Sequence, residues 1–240
     1  MKTKKFIPVV AAIIAVLVLS TVSMAGTIVQ TQAFSGTPNF AKELSFNQFN
    51  DPSGSLTLTS IQVILTLDID GGQIVLDNDS EVPATGTFEF GSSCGITSGD
   101  VSLLTSTSQP IFGQASAANS ANISLAANDG DSTDTYNNDS GPDNYTINGA
   151  KATDTKYGYI GSSYWTGFIG SGTYNISVNA DQWSNASTFS GMSYSVSPVA
   201  ASGNVTVVYK TTNVPEPSSI AGLLTVLAGM GFAGLRRRIK

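Results

Sequence analysis

Residues 128–144, NDGDSTDTYNNDSGPDN, hold five aspartates and four asparagines in one polar stretch. Closely spaced carboxylate and amide oxygens are the ligands that Ca²⁺ prefers. The pattern departs from the twelve-residue calcium loop, however. Asp134 stands at the sixth position from Asp129, where that loop needs glycine, and Ser140 stands at the twelfth, where it needs glutamate. A second acidic run, DNDSE, with Asp77, Asp79 and Glu81, departs in the same way and has Val82 in the glycine position. The competing role of such residues is turn formation, because Asp and Asn side chains bond their own backbone. The expectation is no dedicated metal site and no cofactor, with weak Ca²⁺ binding, in the millimolar range of extracellular modules, as the most these loops offer.

A second cluster, KYGYIGSSYWTGFIGSGTY at 156–174, gathers Tyr157, Tyr159, Tyr164, Trp165, Phe168 and Tyr174 among glycines and serines. Flat rings on a sheet could stack on sugars while polar neighbours bond hydroxyls. Equally, aromatics are strand formers and belong to cores. Asp68 and Asp70 form a carboxylate pair of the kind glycoside hydrolysis requires, but nothing else marks either as an acid. The chain has no histidine, which removes the commonest general base and the usual activator of Ser and Cys nucleophiles. Its single cysteine, Cys94, has no internal partner and reads as a small packing residue. Seven Asn-x-Ser/Thr triplets occur, a number that the abundance of these residues accounts for. No catalytic residues are expected, and the chain reads as a non-enzyme.

The elements that would position these groups are strands. Residues 55–70, SLTLTSIQVILTLDID, alternate strictly, with Ile61, Val63, Leu65, Leu67 and Ile69 on one face. Gly71 and Gly72 then suggest a hairpin into QIVLDND. Further strands are expected at 27–34, 43–49, 85–90, 101–106, 121–127, 172–180, 191–197 and 203–212. Short strands punctuated by Gly, Asn, Asp and Ser predict an all-β fold, an antiparallel β-sandwich of jelly-roll type.

The two ends read differently. Lys2, Lys4 and Lys5 precede an apolar stretch at 9–19 and the small residues SMA at 23–25, the pattern of a secretory signal peptide over 1–25 cleaved between Ala25 and Gly26. At the other end, residues 218–235 carry no charge and as a helix span about 27 Å, enough for a slightly thin bilayer crossing. Ala221, Thr225, Gly229 and Ala233 make a small-residue ridge along it, of the kind that lets such helices pair. Arg236, Arg237 and Arg238 follow and would stay cytoplasmic, so both ends orient the intervening domain outward. Between the basic clusters only Lys42, Lys151, Lys156 and Lys210 face all 17 acidic residues, so that stretch carries −13. Such a surface repels nucleic acid.

Just before the helix, Pro215 and Pro217 hold VPEP extended, since each fixes its own φ and restricts the residue before it. The ordered set of VPEP, glycine-bearing apolar helix and arginine stub at 213–240 closely resembles the PEP-CTERM sorting signal. That resemblance implies that Val214, Pro215, Glu216 and Pro217 are recognised by exosortase, a membrane-embedded cysteine enzyme, and that the helix is afterwards discarded. It also implies a Gram-negative host with exopolysaccharide and biofilm. The central segment 26–212 resembles the choice-of-anchor E domain in FNDPSGSLTLTSIQVILTL, LAANDGDSTDTY, GSGTYNISV and GNVTVVYKTT, a likeness that brings no active site. The expectation is an exported surface or extracellular-matrix protein, transiently held in the membrane, with exosortase and exopolysaccharide as partners; the alternative is a lectin-like module binding glycan or calcium.

Overall fold

The computed structural model describes residues 25–130, 141–187 and 191–214. The expected signal segment, the helix at 218–235, Pro215, Glu216, Pro217 and Arg236, Arg237 and Arg238 lie outside them. Among the described residues no helix is long and apolar enough to cross a membrane. What is described is all-β. The strands are β1 (Ala25–Gly36), β2 (Phe40–Asn47), β3 (Leu56–Asp70), β4 (Gln73–Asn78), β5 (Ala84–Thr97), β6 (Ala115–Leu125), β7 (Asn144–Asn148), β8 (Ala152–Tyr159), β9 (Thr173–Ser187), β10 (Met192–Ser197) and β11 (Ala200–Asn213). A 3-10 helix occupies Ser162–Phe168. Sheet orders are β1-β11-β3-β8, β10-β4-β7 and β2-β9-β5-β6. The ladders β3/β8, β4/β7, β4/β10, β2/β9, β5/β6 and β5/β9 are all antiparallel.

β3 shows how directly the pattern dictates the fold. Its side chains alternate between the two sides of the pleat, and Ile61, Val63, Leu65, Leu67 and Ile69 are all at most 1% exposed while their neighbours stay half-covered. A one-residue slip would turn the whole apolar row to water, so its register is strongly fixed.

The chain divides into two compact units. The smaller consists of residues 25–28, 51–59 and 209–214, the ends of three strands. There Asp51 closes the turn before β3, accepting the Ser53 hydroxyl at 2.6 Å and the Leu56 N–H at 2.6 Å. Thr59 donates its hydroxyl to the Lys210 carbonyl at 3.0 Å, and the Val214 N–H reaches the Ser55 carbonyl at 2.7 Å.

The larger unit, residues 29–50 and 60–208, carries most of the core. Tyr174 stacks on Phe46 with centroids 5.8 Å apart and meets Phe168 edge-on at 5.0 Å. Phe88, Phe90, Ile176, Val178, Val205 and Val207 are buried with them.

The expected hairpin after β3 does not form. Gly71 and Gly72, at φ +66° and +82°, carry the chain from one sheet into another. β3 pairs with β8 (Ile69 opposite Ala152) and β4 with β7 (Gln73 opposite Asn148), so a two-stranded ribbon turns a corner as one piece. Gly149 sits on the inside of that corner, where a Cβ would run into the Gly71 carbonyl. Its N–H bonds the Gly72 carbonyl at 2.9 Å.

The expected strand at 101–106 is also absent, apart from an isolated bridge between Leu104 and Pro110. The Ser98 hydroxyl accepts the N–H groups of Asp100 and Val101, both at 3.1 Å, and so takes up donors that a ladder would need.

Candidate functional site

The aromatic cluster separates into core and surface. Phe168 and Tyr174 are core residues, at 0% and 2% exposure. Trp165 is half-buried, with its indole N–H on the Ile160 carbonyl at 3.0 Å, and the Tyr164 hydroxyl meets that of Ser108 at 2.7 Å. Tyr157 and Tyr159 face water instead, 63% and 49% exposed.

Their placement follows from the pleat. Between them Gly158 points inward against Ile111, whose carbonyl leaves no room for a Cβ. Both rings therefore project from the same side, roughly 7 Å apart at two residues' rise. Opposite them on β3 stand Ile64 and Gln62. The same face continues through Thr155, whose hydroxyl meets Thr66 at 3.3 Å, to Thr153, which donates to Asp68 at 2.5 Å. β8 is an edge strand. The result is a strip of two rings followed by hydroxyls and a carboxylate along one sheet margin. Such a strip can stack on the apolar faces of sugars and bond their hydroxyls.

On its other side β8 is fixed by Asp154. Its carboxylate accepts the Ser116 N–H from β6 at 2.8 Å and pairs with Lys156 at 2.9 Å. The Ser116 N–H first, and the Lys156 ammonium after it, hold the Asp154 carboxyl below the usual carboxylate range.

The two acidic runs come together. β4 ends at Asn78 and β7 begins at Asn144, with Asp77 opposite Asn144. Asn78 is fully buried; its N–H donates to the Asp143 carbonyl at 3.0 Å and its side-chain amide to the Val82 carbonyl at 3.0 Å. Asp143, 2% exposed, accepts the Asp129 N–H at 2.8 Å. These buried polar groups organise the loops, as expected of turn-forming Asp and Asn. Among the described residues the buried Oδ1 of Asp79 has no hydrogen-bond partner. Among the described residues no three acidic or thiol groups stand where they could hold a metal together. Residues 131–140, with Asp131, Asp134 and Asp139, lie outside the described residues.

The remaining candidates are quickly placed. Asp68 and Asp70 are engaged separately, Asp68 with Thr153 and Asp70 with Lys151 at 3.6 Å. Cys94 is buried as a free thiol, and burial, helped by the Asp181 carboxylate, pushes it up to about 12. It is a packing residue protonated at neutral pH.

Of the sorting and processing positions, Ala25 and Gly26 open β1, and a Cβ on Gly26 would touch the Thr211 hydroxyl. Val214 closes the described chain, 42% exposed. Both described ends, Ala25 and Val214, thus belong to the same small unit, at the ends of β1 and β11, which are neighbours in their sheet.

The chain matches no protein-family model, and no curated protein is similar to it. Among solved structures it bears a slight likeness to infectious bursal disease virus. For the Gt strain the identity is 12% and the TM-score 0.14, over 79% of this chain and 43% of that one. For the Gx strain they are 12% and 0.17, over 85% and 44%. The chain spans less than half the length of either. A likeness of that size carries no argument about fold or function, which rest on the chain's own residues.

Proposed function

We propose that this chain is an exported, non-enzymatic protein of the cell surface or extracellular matrix, sorted by exosortase through Val214, Pro215, Glu216 and Pro217. In this reading its 26–212 segment is a jelly-roll-type β-sandwich of choice-of-anchor E character, displayed among exopolysaccharide in a Gram-negative biofilm. Both ends are membrane-directed in sequence and both place positive charge inside. The observation that carries most weight is that Gly26 and Thr211, which lead toward the two expected signals, lie side by side on neighbouring strands, so close that a Cβ on Gly26 would meet the Thr211 hydroxyl. A domain entering and leaving the bilayer on one side needs its two ends together. The absence of histidine and the separate engagement of Asp68 and Asp70 support a role without catalysis. The test is deletion of residues 214–240 followed by fractionation of the host. Retention of the truncated protein away from its normal location supports the sorting role, and unchanged sorting contradicts it.

A second reading, a lectin-like glycan-binding module, is favoured by the exposure of Tyr157 and Tyr159 on the open face of β8. Weak Ca²⁺ binding at the joined acidic loops accompanies either reading, and calorimetric titration with Ca²⁺ checks it. A flat heat trace through the millimolar range would remove it.

A further inference from the structure

Most strand glycines in this protein have a mechanical reason. At Gly91, Gly158 and Gly203 a Cβ would run into the carbonyl oxygens of Ala117, Ile111 and Thr66, so neighbouring backbone fixes the residue type. Gly95, near the end of β5, has no such reason. Its φ is not positive, and the nearest atoms to an added Cβ are Gln114 Cγ at 3.5 Å and Gln114 Nε2 at 3.7 Å, ordinary contacts. Glycine weakens a strand, and where backbone crowding does not require it, it marks a place where something else approaches closely.

Gly95 lines a cavity of about 270 Å³. Cys94 on β5 and Val178 and Ala180 on β9 are buried on the inner face, so Gly95 and its partner Asn179 face outward, while the half-buried Ile96 lines the cavity beside Gly95. The connection from β5 to β6 folds back over that face and adds Phe112 and Gln114, while Thr97 completes the rim. No charged side chain lines the cavity. Among the described residues the side chains of Thr97, Gln114 and Asn179 make no hydrogen bond, so all three are available to a ligand.

The lining selects a chemistry. A carboxamide offers a donor and an acceptor side by side, as Gln114 and Asn179 both do, which matches vicinal hydroxyls that each donate and accept. An aromatic wall suits the C–H face of a pyranose. The volume falls just below the roughly 300–1,000 Å³ of drug-sized sites and suits one ring, not an extended chain. Absence of a cationic group, in a stretch carrying −13, disfavours uronates and sulfates. We propose that this cavity is a binding site for a single neutral hexose unit, with Gly95 as its floor, Phe112 as its stacking wall, and Gln114 and Asn179 as its hydroxyl readers. The inference rests on the reading that the domain meets polysaccharide, but it lies away from the β8 tyrosines and uses different groups.

The experiment is titration of the full-length chain, in a sugar-free zwitterionic detergent, with the methyl glycosides of glucose, galactose and mannose and with glucuronate. It is followed through the side-chain amide NMR signals of Gln114 and Asn179. Expected is saturable binding of at least one neutral glycoside, with millimolar affinity typical of so small a contact, and no response to glucuronate. Gly95→Val fills the floor with a better strand former, so binding should fall at least about tenfold while the melting temperature holds or rises. Gln114→Ala, at an exposed position, serves as the second variant and should weaken binding several-fold without unfolding the protein. No saturable shift with any neutral glycoside, or binding indifferent to both variants, overturns the site. If the protein then still sediments with host polysaccharide, only the cavity assignment falls; if sedimentation also fails, the glycan reading falls with it.

Discussion

Replacing Tyr157 and Tyr159 together by threonine separates surface aromatics from core aromatics in one variant. The exchange extends the row already formed by Thr153 and Thr155, and threonine is a good strand former, so β8 should persist. With 63% and 49% of the two residues already in water, the stability cost should stay near 1 kcal/mol. Binding is another matter. An aromatic contact contributes about 0.5–1.5 kcal/mol beyond its area, so losing two rings should cost about 1–3 kcal/mol of affinity, roughly 5- to 150-fold. Tyr174→Ala makes the opposite case. It empties a position 2% exposed, between Phe46 and Phe168, and should cost about 3–5 kcal/mol of folding free energy. Trp165→Ala should fall between, through the lost packing and the lost bond to Ile160. Co-sedimentation with host exopolysaccharide and denaturant unfolding, run on the same preparations, read the two quantities. A threonine variant that binds as well as the parent refutes the assignment of these rings to a glycan face.

Three further outcomes follow from the fold. Cys94 should resist thiol reagents until the protein unfolds. Because its thiol titrates near 8.5 in an unfolded chain and at about 12 here, its contribution to stability is complete below about pH 8.5 and is lost as pH rises toward 12. Measuring labelling rate against unfolding, and unfolding midpoints in mild alkali, checks both points. Asp154→Ala removes the acceptor that ties β8 to the Ser116 N–H and should cost about 1 kcal/mol after solvent screening. Since the Asp154 carboxyl is depressed, that contribution is present above about pH 4 and lost as pH falls through its lower folded value, so the variant and parent should converge in acid. Gly149→Ala drives a methyl into the Gly71 backbone at the corner and should cost about 3 kcal/mol or more in denaturant unfolding; a near-neutral result would contradict the corner geometry.

The unevenness with which this chain can be read from its sequence has physical causes. β3 is legible because one face is buried along most of its length, so a period of two is written into residues 61–69. β7 and β8 are not, because short strands rich in Asn, Thr and Asp look like turns until their partners are known. That omission is also why Gly71 and Gly72 read as a hairpin. Two glycines at positive φ fit a tight turn and a corner equally well, and only the unseen partner strands decide. The strand expected at 101–106 failed because the Ser98 hydroxyl competes for backbone donors, a contest that residue propensities do not register. Among the aromatics, the alternation Thr153, Thr155, Tyr157, Tyr159 around the inward Gly158 carries a signal for the exposed pair, but it runs without a break into the aromatic-rich stretch up to Tyr174, which obscures it. The Gly95 cavity had no linear signal at all, since its walls come from positions 95–97, 112–114 and 179. The expected terminal signals are of another kind: such signals act as continuous segments outside the described residues, so the expectation of them rests on their order along the chain alone.

The central claim is that the mature molecule is cargo cut at both ends. Intact-mass measurement of the protein recovered from the surface or medium of its native host tests it most directly. The account predicts a species that begins at Gly26 and lacks the helix at 218–235 together with Arg236, Arg237 and Arg238. Recovery of the uncut 240-residue chain from the cytosol as the mature form would contradict it.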